Sequence, residues 1–498
     1  MLAIVIAKSI GMLRDVVLAN YYGTSAVSDA YLIAVSVPTL LFYFVGHALS
    51  TAYIPMYKKV LCERGERAAH KFSDTLMTAA LLGCLLIVLV LLLFPGFVVN
   101  VFAGGFDGEA KALTVSFIRT SACSVLFMAM VSICGGFLRT QSNFIVPALV
   151  SLPRNVVIVA SIIISALFGV KWLGVGLLLA YLVEFLFLFP FVLRCGYHPM
   201  LRFSFRDSAM KETGYIILPI ILGVCVSQVN KIVDKAVAST VSTGAVSALG
   251  YAAIINNAIQ EILVTGIITI LFVDCATYVA EGRTEKVRQV TVKTIDFMLF
   301  LLVPGVCGIL LLAEPIVACF LMRGSFDGYS LSLTSGALRA YSVGLVFLAV
   351  RDMLIKVFYA YKDTKTTMAT SVIAILLNIG LNFSLVNWLG VGGLALATSI
   401  SAIFHCLALY ALLSKKIGGL MLKTTCFSLL MVALASSIMS ISVYILYNFI
   451  LPEAWGMLLR LLLSVLAGVI VYAMAALAFR LPQAVAIGQK IFRKIKGA

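Results

Sequence analysis

The sequence predicts an all-α polytopic membrane protein with about 14 transmembrane helices, arranged as two six-helix lobes in parallel repeat plus two C-terminal helices. Three observations carry this reading. Of the 498 residues, 62% are hydrophobic and only 12% charged, and the mean hydropathy is +1.10. A soluble chain is nearer half apolar and a quarter charged, so an ordinary soluble enzyme and a disordered protein are both excluded. Second, the apolar residues form long unbroken runs rather than the short alternating segments of an outer-membrane barrel. Third, short motifs recur in the two halves of the chain.

The apolar runs lie near 1–20, 26–56, 73–101, 109–137, 144–170, 172–194, 212–240, 245–279, 289–321, 331–360, 366–387, 391–414, 420–450 and 456–480. Each reaches the roughly 20 residues that cross a bilayer. The longest ones are expected to tilt or to project past the membrane. With the N-terminus on the cytoplasmic side, the inner segments collect basic clusters. Lys58, Lys59, Arg64, Arg67 and Lys71 form one, Arg194, Arg202, Arg206 and Lys211 another, and Lys490, Arg493, Lys494 and Lys496 a third. The outer segments hold only Lys111, Lys171 and Arg323. This asymmetry puts both termini in the cytoplasm. The net charge of +16 is therefore loop charge. Nucleic-acid binding is not expected, because no soluble basic domain exists to carry it. The cysteines lie mostly in apolar runs without CxxC spacing, and free thiols are expected. Met1 leads into Leu2-Ala3-Ile4-Val5-Ile6 without a basic segment, so no cleavable leader is expected.

The repeat is read from two motifs. Ala26-Val27-Ser28 recurs as Ala245-Val246-Ser247, in a register that also superposes Asp15 on Asp234. Trp172-Leu173-Gly174-Val175-Gly176 recurs as Trp388-Leu389-Gly390-Val391-Gly392. Both spacings correspond to six helices, an even number, so the copies share one orientation. The expected organisation is an N-terminal lobe over 1–195, a cytoplasmic linker over 196–211, a C-terminal lobe over 212–414, and helices 13–14 with a basic cytoplasmic tail over 415–498. No P-loop or soluble module is visible. Transport would then draw on an ion gradient, the membrane potential or the substrate gradient.

Ionisable residues at membrane depth are expensive and point to function. The first two spans carry Lys8, Arg14, Asp15 and Asp29. Two readings stand side by side. Asp15 neutralises Arg14 while Lys8 snorkels, or the basic groups line a cavity for an anionic substrate, where Arg and Lys are the natural partners of phosphate. The seventh span carries Ser227, Asn230, Lys231, Asp234 and Lys235. The eighth carries Glu261, which is either protonated or paired with Lys231 or Lys235. The tenth carries Arg351 and Asp352. Arg119, Arg154 and Glu184 read as structural. Asn378 and Asn382 lie one turn apart. With Asp234 and Thr398 they would form an all-oxygen cage suited to sodium, unless they serve only as interhelical hydrogen-bond partners. His47 reads as a structural histidine. No nucleophile–base constellation and no metal-ligand spacing appears, so no covalent chemistry is expected.

Gly11-Met12-Leu13-Arg14-Asp15-Val16-Val17-Leu18-Ala19-Asn20-Tyr21-Tyr22-Gly23, followed by Ser28-Asp29-Ala30-Tyr31, resembles the opening of the MurJ (MviN) lipid II flippase family of the MOP exporter superfamily. Phe358-Tyr359-Ala360-Tyr361-Lys362-Asp363-Thr364-Lys365-Thr366 resembles that family's loop between helices 10 and 11, and Ile232-Val233-Asp234-Lys235 resembles its helix 7. The resemblance covers essentially the whole chain. It implies a transporter of the bacterial cytoplasmic membrane, not an enzyme. The substrate would be a polyprenyl-diphosphate glycolipid, with lipid II first, moved to the outer leaflet by alternating access for peptidoglycan synthesis. Membrane lipids and envelope-synthesis proteins would be its partners. By position Lys8, Arg14 and Asp29 match family cavity residues; Asp15, Lys231, Glu261 and Arg351 complete the candidate substrate-binding set on their own chemistry. Asp234, Asn378, Asn382 and Thr398 match a cation site, with sodium as the ion, and no other cofactor is implied. Helices 13 and 14 would form a groove for the prenyl tail.

The chain departs from the family pattern at several positions. Leu41-Phe42-Tyr43-Phe44 stands where an Arg pair is usual, and Gly46-His47 where an acidic residue precedes glycine. Tyr251-Ala252-Ala253-Ile254 lacks the Arg that follows in typical members, and Lys8 replaces an Arg. Set against the family opening, the first helix is expected to begin some residues before Met1. The alternatives are a flippase for another lipid-linked polysaccharide, a drug/cation antiporter of the same superfamily, and a non-transporting envelope scaffold.

Overall fold

The computed structural model describes the backbone of residues 2–204, 207–419 and 422–495; the side chains of 1–9, 47–48, 216, 218–227, 262–263, 265, 422–426, 453, 487 and 490–498 are not among the described residues. No strand occurs in the described chain, and the helices follow one another as α1 (Leu2–Tyr22), α2 (Ala26–Arg64), α3 (Glu66–Leu93), α4 (Pro95–Phe102), α5 (Gly108–Ser121), α6 (Ser124–Thr140), α7 (Ile145–Leu149), α8 (Ser151–Phe168), α9 (Lys171–Arg194), α10 (Ser208–Ser239), α11 (Ala245–Ala280), α12 (Thr284–Leu321), α13 (Gly328–Ala360), α14 (Thr364–Lys416), α15 (Leu422–Ile445), α16 (Met457–Ala478) and α17 (Pro482–Ile495). Apolar length explains why helices prevail. In hydrocarbon every backbone N–H and C=O must be satisfied within the chain, and a helix does this locally. By length and composition, 8 of the described helices can cross a membrane, or up to 10 if each of two bent pairs is one span.

The expected spans are helical, but several are broken. The run near 73–101 divides into α3 and α4 at Phe94-Pro95, where proline takes the first helical position. The run near 109–137 is α5 and α6, bent by 47°. The eighth span, α11, bends by 49° between Glu261 and Gly266. Conversely, the eleventh and twelfth spans are joined in α14, whose 53 residues are interrupted only at Gly390, with φ 54 and ψ −129. A residue with a Cβ is strained there, so the glycine makes the turn between two crossings. The tail, expected only as a basic extension, contains α17.

The two copies of the Trp-Leu-Gly-Val-Gly motif use glycine differently. In α9, a Cβ on Gly174 would lie 2.0 Å from Thr120 Oγ1, and one on Gly176 would lie 2.1 Å from the Ser161 Cβ. These glycines let α9 approach α5 and α8 closely. Such small-residue contacts drive helix association where lipid tails are as apolar as the helices. In the second copy, Gly390 makes the turn instead.

The chain forms two compact units, Met1–Ser247 with Arg323–Ser330, and Ala248–Met322 with Leu331–Ala498. Packing therefore groups α10 with the first unit, whereas the sequence repeat makes it the head of the second lobe. In the first unit α10 packs along α2. An aromatic cluster of Tyr53, Tyr57, Phe72, Phe137 and Tyr197 fills the interior where α2, α3 and α6 meet the segment after α9. The linker after α9 is strapped to α3: Tyr197 Oη and the Met200 amide both donate to Asp74 Oδ1 at 3.0 Å. In the second unit α12, α15 and α16 pack around Phe300, Val432, Ala435, Met439 and Tyr472. Tyr472 Oη donates to the Phe300 carbonyl at 2.7 Å, which satisfies a hydroxyl that would be costly if left unpaired there.

Candidate functional site

In the first unit, the turns at the end assigned to the outer face close on one another. Ser25 and Ser28 form a capping box that starts α2. One residue further into α2, Asp29 is 1% exposed. Its Oδ2 accepts from the Gly244 amide at 2.6 Å and its Oδ1 from the Ser247 amide at 2.7 Å. Asp29 thus caps the start of α11, where free N–H groups and the helix dipole favour a negative charge. Thr24 and Ser330 hydroxyls meet at 2.7 Å. The Ser325 amide donates to the Asn20 carbonyl at 2.8 Å, and the Gly105 amide to Ser239 Oγ at 3.0 Å. Gly324 has φ +57, and a Cβ there would lie 2.2 Å from the Asn20 carbonyl oxygen. The seal combines these hydrogen bonds with close backbone approach at Gly324.

Deeper in the first unit, Arg14 forks onto its neighbour. Its Nε and Nη2 donate to Asp15 Oδ1 at 3.0 and 2.8 Å, and Nη2 to Oδ2 at 3.0 Å. Asp15 is 5% exposed, so its carboxylate offsets part of the Arg14 charge, while Nη1 stays outside the fork. The side chain of Lys8 is not among the described residues, nor are those of His47 and Ser227. On α10, Lys231 is exposed and its Nζ lies 5.8 Å from the centre of the Tyr43 ring, a cation–π distance. Lys235 donates to Ser36 Oγ of α2. Asp234 accepts from Asn230 Nδ2 at 3.1 Å. Arg154 and Glu184 form an ion pair at 3.2 Å, consistent with a structural role.

The second unit holds the remaining candidates. Glu261 lines a cavity of about 210 Å³ with Asn257, Gln260 and Asp352. Gln260 Nε2 donates to Asp352 Oδ2 at 3.0 Å, and Arg351 Nε and Nη2 donate to Asp352 Oδ1 at 3.0 and 2.7 Å. Arg351 is therefore tied to the cavity only through its ion pair with Asp352, which lines it. Three of the four proposed cation ligands meet: Asn382 Nδ2 donates to Asn378 Oδ1 at 3.2 Å, and Asn378 Nδ2 to Thr398 Oγ1 at 3.5 Å. Which amide end points inward is an assignment from the network, so a turned amide would offer oxygen to a cation. Asp234 belongs to the first unit. Among the described residues no three His, Cys, Asp or Glu side chains gather at metal distance. Between α12, α15 and α16 lies an apolar cavity of about 560 Å³, lined by Pro304, Gly308, Met439, Val443, Val469 and Tyr472.

Sequence reasoning did not find what Asp29 holds. The clue was present in the two Ala-Val-Ser helix starts, but nothing local says that one start caps the other. Asp74, the linker's anchor, carried no motif at all.

A many-helix bundle with polar groups buried at membrane depth, a lipid-sized apolar cavity and a sealed end is the build of a membrane transporter. Its fold is similar to an inward-facing multidrug resistance MATE transporter of the MOP superfamily, with a TM-score of 0.70 at 16% identity over 82% of this chain and 94% of that one. The family model described as lipid II flippase MurJ matches residues 18–479, and the chain belongs to that family. A probable lipid II flippase MurJ of Rickettsia prowazekii is 26% identical, covering 94% of this chain and 93% of its own. One of Thermotoga maritima is 28% identical, covering 79% and 80%. A solved lipid II flippase MurJ in an inward closed conformation superposes with a TM-score of 0.83 at 26% identity, over 96% of this chain and 98% of that one.

Proposed function

We propose that this chain is a flippase for lipid II, carrying its polyprenyl-diphosphate headgroup from the cytoplasmic to the outer leaflet of the bacterial inner membrane. The observation that carries the reading is the family match across residues 18–479. The geometry supports it in three ways. The apolar cavity between α12, α15 and α16 suits a prenyl tail, held by packing contacts because the tail comes from hydrocarbon rather than from water. Lys231 and Arg14, with Lys8, offer basic groups to the diphosphate, and Arg14 keeps Nη1 outside its fork with Asp15. Glu261, Asn257 and Gln260 offer hydrogen bonds to sugar or peptide.

The closed outer turns correspond to one half of an alternating-access cycle. For the headgroup to leave outward, the bonds of Asp29, Thr24 and Ser325 must open. A cation is the natural driver. Sodium suits oxygen ligands such as Asn378, Asn382 and Thr398 offer, and their contact within the second unit supports that part of the assignment. The loop charges support a cytoplasmic position for both termini.

The test is growth of cells depleted of their own lipid II flippase. Wild type should sustain growth, and an equally expressed Arg14→Ala should not. If wild type is present in the membrane and growth still fails, lipid II is the wrong cargo.

A further inference from the structure

The first unit contains a cavity of about 360 Å³ that the flipping reading does not use. It lies between α2, α6 and α9, with the short α7 at its mouth. Its walls include Thr39, Tyr43 and Ser50 of α2, Ser132 and Arg139 of α6, and the apolar Phe42, Val131, Pro147, Val150 and Leu188. Four hydroxyls and one guanidinium thus share a space with an apolar wall. Arg139 stands in the last turn of α6, the end that the loop charges place at the cytoplasmic leaflet. A basic residue there is expected on orientation grounds alone, and the helix dipole favours it. Neither reason requires it to border a cavity, and no described carboxylate pairs with it. The other cation nearby, Lys231, lies on the ring of Tyr43, which is itself a wall of the cavity. The positive field at this space is therefore uncompensated by any acid lining it.

We infer that this cavity binds the phosphate headgroup of an amphiphile entering from the cytoplasmic leaflet. Arg139 would hold the phosphate in its planar fork, Ser132 and Ser50 would add hydroxyl contacts, and the chain would lie along Val131, Val150 and Leu188. The shape of the cavity depends on Gly46. A Cβ there would lie 2.4 Å from Phe42 Cε1, so the glycine lets the Phe42 ring fold back against α2. The phosphate has two sources, a bilayer phospholipid or a polyprenyl diphosphate. The inference concerns binding alone and stands whether or not the chain flips lipid II.

The experiment is native mass spectrometry of the full chain released from detergent, titrated with phosphatidylglycerol, polyprenyl diphosphate or uncharged diacylglycerol. Wild type should hold a phosphate-bearing lipid at least about tenfold more tightly than Arg139→Gln, as loss of a charge-assisted hydrogen bond implies. Arg139→Lys should recover part of that affinity, and diacylglycerol should not respond to either change. Ser132→Leu, which narrows the cavity, removes a hydroxyl contact and leaves the charge in place, should weaken the same adduct. A response to phosphatidylglycerol only identifies a phospholipid site, and one to polyprenyl diphosphate only identifies a substrate station. Unchanged binding of both lipids in Arg139→Gln and in Ser132→Leu overturns the inference. A loss of diacylglycerol equal to that of the phosphate lipids also overturns it, because the site would then read only the chains.

Discussion

The two ends of the first unit are closed by different physics. At the outer end, Asp29 gives both carboxylate oxygens to backbone amides at 2.6 and 2.7 Å, and Gly324 brings backbone against backbone. At the cytoplasmic end, Lys59 meets Glu212 at 2.7 Å and Arg64 meets Asp207 at 2.9 Å, with all four side chains at least 36% exposed. Buried charge-assisted bonds are worth roughly 1.5–3 kcal/mol each, whereas exposed pairs are worth about 0–1 kcal/mol and weaken with salt. On the proposed cycle the outer end is therefore a latch whose opening costs free energy. The inner end is a clasp that water loosens.

The largest effect separating the two ends should come from Asp29→Ala. It removes both latch bonds and leaves the first N–H groups of α11 uncapped. Flipping should fall by at least about tenfold, measured as outer-leaflet lipid II in membranes with matched protein levels; unimpaired flipping would reduce the latch to packing. Gly324→Ala comes next. It forces a Cβ into the space of the Asn20 carbonyl, at a backbone angle costing roughly 1–2 kcal/mol for an L residue. Thiol labelling at the outer turns should rise severalfold, and flipping should fall with it. At the clasp, Arg64→Ala with Lys59→Ala should change flipping by less than about threefold, with the difference vanishing in high salt; a loss as large as that of Asp29→Ala would end the comparison.

The smallest effect is one of pH. Burial alone would raise the Asp207 carboxyl, but Arg64, the capped Ala209 amide and Ser208 outweigh it and hold the group below the usual carboxylate range. A depressed carboxyl stabilises the fold above its unfolded pKa, about 3.9, and that stabilisation is lost as pH falls through the folded value. Thermal unfolding should therefore separate wild type from Arg64→Ala slightly at neutral pH, and the gap should close under strong acid.

The all-α class was legible because hydropathy is a property of each residue, and the family because Gly11–Gly23 and Phe358–Thr366 are contiguous. The break at Gly390 was foreshadowed by Trp388-Leu389-Gly390, since glycine there ends one apolar run and begins another. The bends at 122–123 and 262–265 were not legible, because neither proline nor a charged residue marks them in the sequence. At the candidate site, the nearness of Asn378 and Asn382 followed from helical spacing. The fork of Arg14 on Asp15 was one of two readings that spacing left open. The partners of Asp29 lie more than 200 residues away in the chain, and no local pattern carries that information. Arg139 was visible only as one more cytoplasmic charge, until the fold gave it a cavity.

The central claim is that the outer turns must part for lipid II to cross. Thr24 and Ser330 hydroxyls sit 2.7 Å apart, so Thr24→Cys with Ser330→Cys places two thiols within bonding reach. Lipid II appearing in the outer leaflet should be followed in cells carrying this pair, before oxidation, after it and after reduction. Flipping that stops on oxidation and returns on reduction is the predicted result. Undiminished flipping with the disulfide quantitatively formed would contradict the account, because the headgroup would then be crossing without the latch opening.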